Sequence, residues 1–136
     1  MSDTQYTQYY VAFLDILGFK NLVNDPNTSC QDILDTYEYV SYRHKNFFGD
    51  KSKHLRDSIK IKIMSDSICL YTEAGIRNAL FFLIAYCVAF QHDLLVRNPS
   101  VLVRGGITVG DMYAKDDVIF GPALTEAYLL DSVYTR

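Results

Sequence analysis

Residues 58–72 constrain the fold of this chain more than any other stretch. Ile59, Ile61 and Ile63 alternate with Lys60 and Lys62, the period-two pattern of a strand with one buried and one wet face. A second strand-like run, SICLYT at 67–72, follows after only Ser65 and Asp66. Runs joined this tightly form a hairpin, and this hairpin carries an acid, Asp66, at its tip. A lone hairpin is marginal in water, so the chain must supply further strands or helices to cover its apolar face.

Residues 9–15 (YYVAFLD) are rich in aromatic and β-branched side chains and read as a buried strand ending at Asp15. Ile16-Leu17-Gly18-Phe19 turns the chain, and a helix begins across 20–23. NDPNTS at 24–29 is a break, after which Thr28 or Ser29 caps a second helix running to about residue 48. Its Ile33, Leu34, Tyr37, Val40 and Tyr42 lie close to one helical stripe. Residues 49–56 are charged and loop-like; with Lys45 they form a basic stretch (Lys51, Lys53, His54, Arg56) that reads as solvated.

Residues 73–97 form a helical candidate stopped by Asn98-Pro99. Its nearly continuous apolar run implies burial on most sides or an interface face. A strand at 101–109 is interrupted by Gly105-Gly106. Short strands at 111–113 and 118–120 then flank a charged turn, and Gly121-Pro122 opens a last helix to about residue 132. This order predicts an α+β, ferredoxin-like (palm-like) fold: a mixed, mainly antiparallel sheet with helices packed on one face. The expected organisation is a flexible leader over 1–8 and one domain over 9–136.

With 136 residues, 49% of them apolar, one domain with a real core is expected. A net charge of −3 argues against a nucleic-acid partner. The three cysteines (Cys30, Cys69, Cys87) and three histidines (His44, His54, His92) show no metal-ligand spacing, and no Ser-His-Asp or Cys-His set can be read. The polar start lacks the pattern of a signal peptide. The longest apolar run, 79–90, is shorter than the roughly 18 residues of a membrane span. The expectation is therefore a cytoplasmic protein with no membrane partner.

Two carboxylates carry the chemistry. Asp15 ends an apolar strand before a glycine turn, and Asp66 tips the hairpin. An acid at the end of an apolar sheet is costly unless something pairs with it, and a divalent cation does so. Neighbouring strands lie ~4.8 Å apart, so adjacent strands bring two acids to a pair of ions ~3.5–4 Å apart. Oxygen ligands suit Mg²⁺ or Mn²⁺. Taken singly, Asp15 reads equally well as a helix cap and Asp66 as the closing residue of a turn. The Leu17-Gly18-Phe19 turn opens a helix and presents backbone amides of the kind that favour phosphate.

These segments also resemble a known family. FLDILGF (13–19) is similar to the first metal-binding motif of class III nucleotide cyclases, and KIMSDSICLY (62–71) to the second. VRGGITVGDMY (103–113) resembles their Arg-x-Gly-Ile-x-x-Gly strand, and FGPALTEAYLLDS (120–132) the start of their last helix. The wording of LDILGF, SDSI, RGGI and GPALTEAY is most similar to the pyrimidine (cytidylate and uridylate) cyclases of bacterial Pycsar antiphage systems. The resemblance implies conversion of CTP or UTP to the 3′,5′-cyclic monophosphate and pyrophosphate. It also implies two Mg²⁺ or Mn²⁺ ions per site, a homodimer with interfacial sites, and an effector that senses the product. Asp15 and Asp66 would be the catalytic metal ligands, with the Ile16 carbonyl as a further ligand. Leu17, Gly18 and Phe19 would contact the triphosphate, and Lys62 stands where a base-reading lysine falls, though it reads at least as well as a solvated strand lysine.

The match departs from the family pattern at the last helix. Thr125 and Leu129 occupy the positions of an Asn and a transition-state Arg; a Thr can still bond a ribose, but a Leu neutralises no charge. Arg104 is the substitute cation to consider, against its reading as half of a structural ion pair. Family domains continue past this helix with more sheet, so the expectation here is a natural short form, a C-terminally truncated product or a fragment. The rival readings are a non-catalytic cyclase-like nucleotide-binding or dimerisation module and a palm-like phosphotransferase acting on other substrates.

Overall fold

The computed structural model describes residues 4–46, 58–64, 66–96, 100–115 and 117–134. In chain order the elements are β1 (Thr7–Ile16), α1 (Phe19–Asn24), α2 (Cys30–Asn46), β2 (Lys60–Met64), β3 (Ser67–Glu73) and α3 (Ala79–Leu95). β4 (Val103–Lys115), β5 (Val118–Phe120) and α4 (Pro122–Leu129) follow, and a π-helical turn, Leu130–Tyr134, continues from α4. The sheet order is β2-β3-β1-β4-β5. The first four strands thus take the ferredoxin-like arrangement, and every pairing is antiparallel rather than mixed.

β1 is the centre of the sheet because it is apolar on both faces. Ala12, Leu14 and Ile16 face α3, where Leu83, Phe90 and Leu94 are fully buried. Each such side chain contributes ~1.5–3 kcal/mol of transfer free energy. Tyr9, Val11 and Phe13 alternate to the other face and pack with Cys69, Tyr71, Met112, Ala123 and Ala127. The expectation of helices on one face therefore holds for the α2–α3 side only. The small residues Ala123 and Ala127 let α4 lie close on the reverse side.

Three boundaries differ from the sequence reading. β1 begins at Thr7, inside the expected leader, because Thr7 and Gln8 pair with Met112 and Asp111 of β4. α3 starts at Ala79 rather than 73, since Glu73 still pairs with Tyr9 and the left-handed Asn78 (φ 62°) turns the chain into the helix. β4 runs unbroken through Gly105-Gly106 because those residues pair with Leu14 and Phe13. α2 starts as expected from Ser29: its Oγ accepts from the Asp32 amide at 3.1 Å, and Asp32 Oδ2 accepts from the Ser29 amide at 3.0 Å. This reciprocal pair is a capping box. The basic stretch over 47–57 and the Asn98-Pro99 stop lie outside the described residues.

Candidate active site

The register of β1 places its terminal acid between two neighbours. Asp15 stands opposite Ser67 of β3 and opposite Arg104 of β4. Directly opposed residues share a face of the sheet, and Arg104 Nε lies 3.9 Å from Asp15 Oδ2. Asp66 adjoins Ser67, whose Oγ donates to Asp66 Oδ1 at 3.4 Å. The Ile16 amide donates to the Asp66 carbonyl at 2.8 Å, tying the hairpin tip to the end of β1. The two acids named from the sequence thus meet at one end of the sheet.

α4 and its π-helical turn close the site from the reverse face. The Tyr128 ring meets Phe13 edge-on at 5.6 Å, and Asp131 and Ser132 complete a cavity of about 240 Å³ around Asp15, Asp66, Ser67 and Arg104. Arg104 Nε is 3.8 Å from Asp131 Oδ1, as well as 3.9 Å from Asp15. Both are ion-pair distances, too long for hydrogen bonds. Asp131 is buried. Sequence reasoning missed it: it sits in the quoted LLDS segment, but nothing in its local spacing marks it as facing Arg104.

Burial raises the Asp15 carboxyl above its ordinary value, and the charges of Asp131 and Asp66 raise it further; Arg104 opposes them. Burial and the Asp66 charge also raise the Tyr37 hydroxyl. Three carboxylates around one guanidinium leave a negative excess in a partly buried cavity, which a divalent cation would offset. Among the described residues no group of three or more His, Cys, Asp or Glu is arranged to hold a metal ion. Asp15 and Asp66 nevertheless fit Mg²⁺ or Mn²⁺, because Mg²⁺ commonly takes one or two carboxylates and completes its shell from substrate phosphates.

The other sequence candidates lie around this cavity rather than in it. Ile16, Leu17 and Gly18 line a neighbouring cleft of about 240 Å³ with Asn21, Asp25 and Ser100. The Leu17 amide is engaged by the Leu102 carbonyl at 2.9 Å, so it does not serve a phosphate here. Gly18 is left-handed (φ 73°) and leads into a helix of only six residues, and Phe19 packs on Tyr37 at 6.3 Å. Lys62 is paired with Cys69, two positions along β3 from Ser67, and its Nζ reaches Asp117 Oδ1 at 4.0 Å. Thr125 is exposed on α4, its Oγ1 donating to the Gly121 carbonyl at 3.4 Å.

No family model matches the sequence, and no curated protein matches it. Among solved structures, the chain is similar to a crystal structure described as an adenylate/guanylate cyclase/hydrolase from Silicibacter pomeroyi. The match has a TM-score of 0.61 and 18% sequence identity, and covers 95% of this chain and 71% of that one. Over nearly its whole length this chain therefore has the fold of that cyclase-type structure.

Proposed function

We propose that this chain is a metal-dependent nucleotide cyclase acting on CTP or UTP. The supporting observation is the convergence of Asp15 and Asp66 on one cavity in a cyclase-type fold. In the reaction the ribose 3′-oxygen bonds to the α-phosphorus, the bond to the β-phosphate breaks, pyrophosphate leaves, and the hydroxyl proton passes to solvent. Bound Mg²⁺ or Mn²⁺ would supply the acidity of the 3′-hydroxyl and the neutralisation of the triphosphate. Asp15 and Asp66 would hold the ions, with the Ile16 carbonyl as a further donor. Ser67 orients the Asp66 carboxylate through its hydroxyl, and Tyr128 and Phe13 wall one side of the cavity. Positioning and charge neutralisation provide most of the rate.

The pyrimidine preference and the signalling role in antiphage defence through a product-sensing effector rest on the motif wording; a cytoplasmic location is the expectation from composition. Among the described residues no helix is long and apolar enough to cross a membrane. A homodimer is part of the same proposal: Phe81, Ile84 and Val88 form an exposed apolar stripe on α3, the kind of surface a second copy covers. The alternative, a non-catalytic nucleotide-binding or dimerisation module, is favoured by Leu129 at the cationic position and by Thr125 lying outside the cavity.

The test is incubation of the protein with Mn²⁺ or Mg²⁺ and each of ATP, GTP, CTP and UTP, with cyclic products read by mass spectrometry. Cyclic CMP or cyclic UMP is the expected product, lost in Asp15→Ala and in Asp66→Ala while the fold persists. Nucleotide binding without turnover selects the alternative, and full activity in either variant removes the two-metal reading.

A further inference from the structure

Arg104 stands between two carboxylates at nearly equal distance: Asp15 at 3.9 Å on β1 and Asp131 at 3.8 Å on the turn after α4. Only the first belongs to the pair assigned to the cations. The two acids differ in setting. Asp15 opens onto the cavity beside Asp66, whereas the Asp131 side chain is only 8% exposed. Asp131 is held there by the packing of its own turn. Leu130 lies on the backbone of β4 at Gly106, where an added Cβ would meet the Leu130 Cβ at 2.7 Å.

A cation arriving at Asp15 displaces part of the electrostatic partnership of Arg104. A guanidinium always carries its charge, and in a partly buried setting that charge needs a carboxylate nearby. We infer that Asp131 is a positioning residue which takes up Arg104 when Asp15 engages a cation, so that Arg104 does not compete for the Asp15 oxygens. This inference rests on the proposed metal-dependent function and adds to it a role for a residue outside the metal-binding pair. The role assigned to Asp131 is not that of a ligand to the ions or the substrate; it is exerted through Arg104.

In Asp131→Asn, Arg104 loses that carboxylate and leans on Asp15, with which the cation must then compete, so cation affinity falls. In Asp131→Asn combined with Arg104→Gln, the competitor is gone and affinity recovers. A purely structural role for the pair predicts the reverse order, with the double variant no better than the single one.

The experiment is isothermal titration of Mn²⁺ into the full chain, without nucleotide and again with a non-cyclisable triphosphate analogue. Thermal unfolding of each metal-free variant is measured in parallel. Expected is a roughly 10–100-fold loss of Mn²⁺ affinity in Asp131→Asn, the range for partners that orient metal ligands, and recovery to within about threefold of the parent in the double variant. Unchanged affinity in a folded Asp131→Asn overturns the inference and leaves the cyclase reading standing. So does a double variant that remains as weak as the single one. If the parent chain binds no Mn²⁺ in either condition, both the inference and the two-metal reading fall. If Asp131→Asn is unfolded, Asp131→Glu, which keeps the charge, and Arg104→Gln, which removes the competitor, replace it: Mn²⁺ affinity retained in both supports the inference, and loss in either despite a native fold overturns it.

Discussion

Gly105→Ala offers a direct test of the β1–β4 register that sets Arg104 against Asp15. A Cβ at residue 105 would stand 1.9 Å from the Phe13 carbonyl oxygen and 2.9 Å from the Leu14 Cα. Both obstacles are backbone of the central strand, so no side-chain rotation relieves the clash. The two strands must separate locally, loosening the pairs Leu14↔Gly105 and Asp15↔Arg104. Overpacking in a well-filled site costs ~1–3 kcal/mol and occasionally more, and an obstacle made of backbone puts this one at ~3 kcal/mol. For a domain of this size that is a fall of roughly 10 °C in Tm. Gly75→Ala is the control: nothing lies within 4 Å of its added Cβ, and a change of less than about 1 kcal/mol is expected there. Urea and thermal unfolding of both variants decide the matter. A Gly105→Ala protein as stable as the parent would refute the register.

Other outcomes follow from the same structure. Because the folded Asp15 carboxyl sits above its unfolded value, its contribution is fully present below the unfolded pKa and is lost as pH rises through the folded one. Asp15→Asn should therefore raise the Tm of the metal-free chain at neutral pH, with the gain vanishing in acid; a gain that grows on acidification contradicts this. Burial pushes the Cys69 and Cys87 thiols up to about 12, while Cys30 is exposed. A disulfide reagent at pH 8 should thus label one thiol in the native state and three after unfolding. Ser29→Ala removes half of the α2 capping box and should cost ~1 kcal/mol in urea unfolding; no loss would mean the cap is dispensable.

What could be read from the sequence was what local pattern encodes. The alternation of 59–63 and the unbroken apolar run of 9–14 produced β2 and β1 close to their observed places, each with its acid where the run ends. What could not be read depended on pairings between distant residues. Gly105-Gly106 looks like a strand break in isolation, yet β4 continues because β1 lies close enough to require a residue without a side chain at 105, and Leu130 crowds position 106. Asp131 is separated from Asp15 by most of the chain, and only the seating of α4 on the reverse face brings them together. The amide of Leu17 looked available for phosphate because its bond to Leu102 is also long-range.

The position of Asp15 on β1 has a consequence for how the site responds to fluctuation. β1 is hydrogen-bonded to a neighbour on each side along nearly its full length, so its amides exchange with solvent only when the sheet as a whole opens. A cation held at Asp15 therefore stabilises the entire domain against unfolding by mass action, not one loop of it. Protection against hydrogen exchange should rise together across β1, β3 and β4, while the short, largely exposed α1 continues to fray on its own. Occupancy of the proposed site and persistence of the fold would then be coupled in one equilibrium.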